Sequence, residues 1–243
     1  MLGTMKKSEQ PKRNYLKILV TLILATGCTQ DHQDTNSLVN ICNSHEELTI
    51  YYPNYKSIDL FCGNKSPKKD KNAIFCSAAA FTSKKLKEFK HSNIEGNHVS
   101  DGKFYTGDDC KYNTGAFVWY KGVWKFVGKD YDHELTKAAI NEGMGFAQNM
   151  IILNGVVQPT WRHNKLKYRA LCELDGKLCI IQSNKKTPYK DFVNHLNEAG
   201  VRHAIYLDMG LWREGWYRTD NLKLKHISIM HHKYYTNWLT FYK

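Results

Sequence analysis

The stretch whose reading decides the fold runs from Tyr168 to Gly210, YRALCELDGKLCIIQSNKKTPYKDFVNHLNEAGVRHAIYLDMG. Asp175-Gly176 between two apolar runs is the signal of a two-residue type I′ hairpin, which makes Lys167 to Leu174 and Lys177 to Gln182 partner strands. Thr187-Pro188 then reads as a helix N-cap followed by proline at the first helical position. Phe192, Val193 and Leu196 form the apolar side of that helix and Gly200 closes it. Ala204 to Leu207 is a strand, and it delivers Asp208 at its carboxyl end. The sharp turn expected at Met209-Gly210 exposes this carboxylate where ligand sites commonly lie.

Working outward, Leu48 to Tyr52 and Ala73 to Phe81 read as strands, and Gly115 to Phe126 as two short strands around Lys121-Gly122. A helical segment from about Glu134 to Glu142 follows, with Asp130, Asp132 and Glu134 near its N-terminus, where negative charge is favoured. Met150 to Leu153 is a further strand, ended by a turn at Asn154-Gly155. With no Pro/Gly/Ser linker to divide the chain, these elements are expected to form a single domain. Neither an internal repeat nor a low-complexity segment is visible.

The N-terminus carries Lys6, Lys7, Lys12, Arg13 and Lys17, then an apolar run from Ile18 to Ala25, then Thr26-Gly27-Cys28. Such a run makes a helix of only about 12 Å, too short to cross a hydrocarbon core of about 30 Å, so residues 1–27 read as a signal peptide. A small residue and Cys28 directly after the apolar run match a bacterial lipobox, with Cys28 lipidated. The other reading is an ordinary secretory peptide with Cys28 as a bystander. Residues 28–44 are polar and form a tether, and residues 45–243 form the folded domain. The expected location is the cell envelope, lipid-anchored to a bacterial membrane.

Cleavage before Cys28 removes those five cations and Glu9, a net four positive charges, and takes the chain from +12 to +8. An exported protein does not meet genomic DNA, and outside Lys65 to Lys71 there is no concentrated basic stripe, so nucleic acid is not an expected partner. The residual charge points to anionic envelope material or phosphorylated sugars. Six cysteines remain, Cys42, Cys62, Cys76, Cys110, Cys172 and Cys179. The hairpin register sets Cys172 opposite Cys179 at a separation of about 5.5 Å, within disulfide range but poorly oriented, so a bridge and a pair of buried thiols both stay open.

Three aromatics, Trp212, Trp216 and Tyr217, follow Asp208, with Arg213 and Arg218 among them. Aromatic faces cover sugar rings and guanidinium groups hold phosphate through paired donors. His226, His231 and His232 invite a metal reading, but adjacent residues on a strand point to opposite faces, and neither HExxH nor a paired CxxC occurs. No metal and no cofactor is expected. GxSxG and the Walker phosphate loop are also missing, which removes the usual support for serine hydrolase and nucleotidase readings.

The segment from Tyr168 to Gly210 resembles the phosphodiester glycosidase family. The matching order is the strand opening at Arg169-Ala170, the Asp175-Gly176 hairpin, the helix closed by Gly200, and Leu207-Asp208-Met209-Gly210 in place of an LDGG-like signature. Upstream, Gly145-Phe146-Ala147-Gln148-Asn149 fits the segment preceding the arginine. The chain departs from the family at Met209, where a second glycine stands, and at Ala78-Ala79-Ala80-Phe81, where a strand ends in Asn-Gly-Gly or Asn-Ala-Gly. Leu211, Trp212 and Arg213 stand in place of the serines that follow the family's glycines.

The resemblance implies a mixed α/β (α+β) fold, a central mixed sheet with flanking helices in a single domain, with a cleft at strand ends and cleavage of a sugar-1-phosphodiester at the anomeric C–O bond. It assigns Asp208 and Arg169 as catalytic residues, the carboxylate activating water or stabilising an oxocarbenium-like transition state and the guanidinium holding phosphate. Gly210 shapes the turn, and Gln148 and Asn149 line the cleft. Trp212, Arg213, Trp216 and His98 complete the substrate-binding set, with Asp101 a further candidate beside His98. The alternative is a non-catalytic glycan-binding lipoprotein on the same fold, using Trp212, Trp216 and Tyr217 as a sugar platform.

Overall fold

The computed structural model describes residues 37–43, 47–63, 65–83, 89–159, 164–209, 214–229 and 236–243. The signal peptide, Cys28 and the first part of the tether lie outside the described residues, as do Gly210, Trp212, Arg213, His231 and His232.

Four sheets hold the described strands. The first has seven strands in the order 39–42, 48–53, 177–183, 169–174, 203–206, 150–153 and 156–157. The second has five, in the order 224–228, 215–218, 73–78, 236–242 and 57–63, and the third five, in the order 103–105, 98–100, 144–148, 115–120 and 123–127. A two-stranded ladder pairs Lys165–Leu166 with Thr187–Pro188. Two α-helices occur among the described residues, α1 (Asp132–Ile140) and α2 (Tyr189–Glu198).

A mixed sheet flanked by helices is therefore not what forms. Every ladder between the strands is antiparallel, and the protein is mostly β. The reason lies in the connections. Asp101-Gly102, Lys121-Gly122, Asn154-Gly155 and Asp175-Gly176 all take positive φ at both residues, the type I′ geometry that folds a strand back on its predecessor. A parallel neighbour needs a long crossover instead. α2 makes such a crossover, carrying the chain from the 177–183 strand to the 203–206 strand. It skips over Arg169–Leu174, which lies between them and is antiparallel to both.

Two other expectations shift by a few residues. Val39–Cys42, placed in the tether, pairs with Leu48–Pro53 and so extends the first sheet. Pro188 rather than Thr187 occupies the N-cap of α2, because Thr187 is held in the ladder opposite Leu166.

The first sheet is covered on both faces. Ala170, Cys172, Cys179, Ile181 and Ala204 pack under Tyr189, Phe192, Val193 and Leu196 of α2. On the opposite face Leu171, Ile180 and Ile205 join Leu60, Phe75, Leu239 and Phe241 of the second sheet and Phe117 and Phe146 of the third in one cluster. Each such side chain contributes roughly 1.5–3 kcal/mol when fully buried. Burial on both faces explains why the 169–174 strand is buried at all six positions and shows no polar alternation.

Candidate functional site

Several strand ends meet at one place. The Ala79 carbonyl, just past the 73–78 strand, accepts hydrogen bonds from the Asp208 amide at 3.0 Å and from the Gln148 Nε2 at 3.3 Å. Leu207 in turn donates its amide to the Arg169 carbonyl at 3.0 Å. The turn is braced by Asn237, a fully buried residue whose Oδ1 accepts the Ala80 amide and whose Nδ2 donates to the Ala80 carbonyl. The folded chain thus brings Asp208, Gln148 and the Arg169 backbone together. Asp208 is only 4% exposed.

Arg169 lies on the face of its strand that meets the second sheet, fully buried, and all five of its N–H donors are engaged. Nε and Nη2 both donate to Gln182 Oε1, at 2.9 and 2.6 Å, and Nη2 also donates to Ser228 Oγ at 2.9 Å. Nη1 donates to Ser77 Oγ at 2.8 Å and to the Glu214 carbonyl at 3.3 Å. Every acceptor is neutral, and no carboxylate pairs with this guanidinium among the described residues. Burial pushes its pKa down to about 10, still far above neutrality, so the group carries an uncompensated positive charge. Room for it exists because residue 215 is glycine: a Cβ there would lie 2.5 Å from Nη1.

Directly beside this guanidinium a cavity of about 570 Å³ opens, a size suited to a small ligand. Gln182 and Ser228, the two side chains that receive the Nη2 protons, line it. So do Met209, immediately after Asp208, and the cationic or cation-forming Lys167, Lys186 and His226. The walls are mostly apolar at Leu166, Ile227 and Ile229. The arrangement can hold an anionic group attached to an apolar-faced ring.

Other expected site residues fall elsewhere. Asn149 is a buried brace, accepting from the Tyr189 hydroxyl of α2 at 3.2 Å and donating to Thr114 Oγ1 at 3.4 Å. Trp216 is fully buried and donates its indole N–H to Ser66 Oγ, so its face is not available as a sugar platform. Arg218 spends its donors on the carbonyls of Lys68, Asp70, Ala73 and Leu222, which pins the basic loop rather than a phosphate. Lys68 of that loop pairs with the buried Glu214 carboxylate. His98 is buried in the third sheet, away from the cavity lining, where desolvation holds its pKa down to about 4 and keeps the ring neutral.

The residues that sequence reasoning missed are Lys167, Lys186, His226, Gln182, Ser228 and Asn237. Two lysines and a histidine are scattered over sixty positions with no motif among them. Only the hairpin register, which sets Gln182 opposite Arg169, carried a readable signal.

The architecture defines a class of β-rich protein in which antiparallel sheets share a core and a basic cavity sits at the strand ends. Among solved structures it is similar to the catalytic domain of zebrafish N-acetylglucosamine-1-phosphodiester alpha-N-acetylglucosaminidase, auto-inhibited by its pro-peptide. That match has a TM-score of 0.58 and 13% identity, over 85% of this chain and 82% of that one. A hypothetical protein from Synechocystis aligns with a TM-score of 0.45 and 10% identity, over 84% of this chain and 61% of that one. The zebrafish likeness is a distant relationship of fold. No protein-family model matches the chain, and no curated protein matches it in sequence.

Proposed function

We propose that this chain is a hydrolase of sugar-1-phosphodiesters, cleaving the anomeric C–O bond, with its site in the basic cavity beside Asp208-Met209. The observation that carries the reading is that cavity: Lys167, Lys186 and His226 on its wall, and behind Gln182 and Ser228 the charge of Arg169, which no carboxylate among the described residues pairs with. Buried away from water, such a charge projects a positive potential into the space in front of it. The zebrafish enzyme's fold agrees with the reading.

The chemistry divides among these residues. The surface cations receive the phosphate, and Arg169 acts one layer behind them, fixing the Gln182 and Ser228 side chains and adding field. Asp208 activates water or stabilises the developing positive charge at the anomeric carbon. A phosphate monoester leaves as a weak base, so proton donation to the leaving oxygen is less needed than for an alcohol. Asp208→Asn is expected to lower hydrolysis of a sugar-1-phosphodiester by roughly 10²–10⁴-fold, the range attributed to a positioned acid or base, with little change in melting temperature. Unaltered turnover would overturn the assignment. Binding of the substrate without release of sugar by the wild-type protein would favour the glycan-binding alternative.

We also propose export and lipid anchoring through Cys28, on the basic start, the short apolar run and the small residue before the cysteine. Cys28→Ala should abolish incorporation of labelled fatty acid and move the protein out of the membrane fraction. Retention of both label and fractionation excludes the anchor.

A further inference from the structure

Away from the cavity, three elements bring a thiol and two imidazoles into one cluster. Cys62 comes from the Ser57–Gly63 edge strand of the second sheet, His98 from the His98–Ser100 strand of the third, and His91 from the short 3-10 turn His91–Asn93. Their ligating atoms all lie within 4.8 Å of one another. His91 Nδ1 and His98 Nε2 face each other at 2.9 Å.

We propose that Cys62, His91 and His98 form a binding site for a single zinc-class cation, independent of the phosphodiester site.

Three features support it. The donors are one thiolate and two imidazoles, both ligand types that zinc binds, and three protein ligands leave a fourth position for water in a tetrahedral site. The rings are also already oriented. His98 Nδ1 lies 3.2 Å from the Gly96 carbonyl, which can only accept, so the Nδ1 carries the proton and the Nε2 lone pair points into the cluster. His91 is held by Tyr105, whose ring stacks face to face on it with centroids 3.5 Å apart and planes within 4°. Finally, the Asp101 carboxylate acts on both Cys62 and His91, and that of Asp59 on Cys62, giving the site a negative surround.

In the metal-free protein a proton on His91 Nδ1 fills the gap to His98 Nε2. The cation takes the place of that proton, His91 binding as its Nε2–H tautomer, and the Cys62 thiol releases one proton to solvent as its sulfur bonds the metal. The two nitrogens need to separate by only a few tenths of an ångström to accept metal–nitrogen bonds of about 2.0–2.1 Å in tetrahedral geometry.

The experiment uses the full chain without an affinity tag, stripped of metal and titrated with Co²⁺ and then with Zn²⁺ against a competing chelator. One equivalent is expected per chain, with a thiolate-to-cobalt charge-transfer band that zinc bleaches. Cys62→Ser should lose that band. His91→Gln, a change at a partly exposed ring, should weaken zinc binding by more than the roughly 10–100-fold that loss of an outer-shell partner costs. Zinc should also raise the melting temperature of the wild-type protein more than that of His91→Gln, through linkage. Lack of a stoichiometric cobalt band in the wild type overturns the site, as does a band undiminished in the folded His91→Gln protein and unaltered by zinc.

Discussion

Arg169 shows how a residue can be found from sequence while its role is decided by its neighbours. The order of motifs leading from it to Asp208 marked it as a phosphate ligand, yet all five of its donors are already held by Gln182, Ser77, Ser228 and the Glu214 carbonyl. It lies behind the cavity wall, with its donors spent on the protein itself. Gly215 tests this directly. An added Cβ would lie 2.9 Å from Cζ and Nη2 as well as 2.5 Å from Nη1, against a group pinned too firmly to move aside. Gly215→Ala should lower stability by about 1–3 kcal/mol, the usual penalty of overpacking, as measured by denaturant unfolding. In an Arg169→Met background the same change should lose much of that penalty, since contacting residues couple. Equal penalties in the two backgrounds would show that the guanidinium is not what Gly215 accommodates.

At the scale of elements, strands and turns were the most legible part of the chain. The Asp175-Gly176, Asn154-Gly155 and Lys121-Gly122 turns have the positive φ their sequences demand, and Met150–Leu153 spans the residues expected for it. α2 buries the apolar side foreseen for it, and Gly200 ends it at φ 81°. Sheet assembly was not legible. Sequence signals are local, and a strand with both faces buried says nothing of which strand it neighbours, so the mixed sheet rested on the family resemblance alone. Cys172 and Cys179 do stand opposite each other as the hairpin register requires, and both are free, fully buried thiols. Burial raises both thiol pKa values, which keeps them in the unreactive protonated form.

Over the whole molecule, charge placement matters more than net charge. The Asp59 carboxyl is pushed up from 3.8 to about 6, by burial first and by the Asp101 charge second, against a hydrogen bond from the Leu60 amide. Its other titratable neighbours are Cys62 and Tyr242, whose pKa values burial also raises, so both are neutral in this window. A raised carboxyl pKa means that the folded chain keeps a proton which the unfolded chain releases between about pH 4 and 6, so this group's contribution to stability falls as pH rises through that window. Asp59→Asn should therefore raise the melting temperature of the metal-free protein above about pH 6, with the gain vanishing below about pH 4. A gain of the same size at both ends would trace the effect to something other than ionisation.

By itself the sequence determined the local pieces: where the chain turns back, which faces are apolar, and that an aspartate stands at the end of an apolar strand, because these depend on dihedral preference and hydrophobic period. The tertiary structure alone decided how the hairpins join into sheets, that Arg169 is enclosed, that Lys167, Lys186 and His226 face one cavity, and that Cys62 meets His91 and His98. Those juxtapositions join residues tens of positions apart, and they follow from how sheets pack, a property of the whole chain.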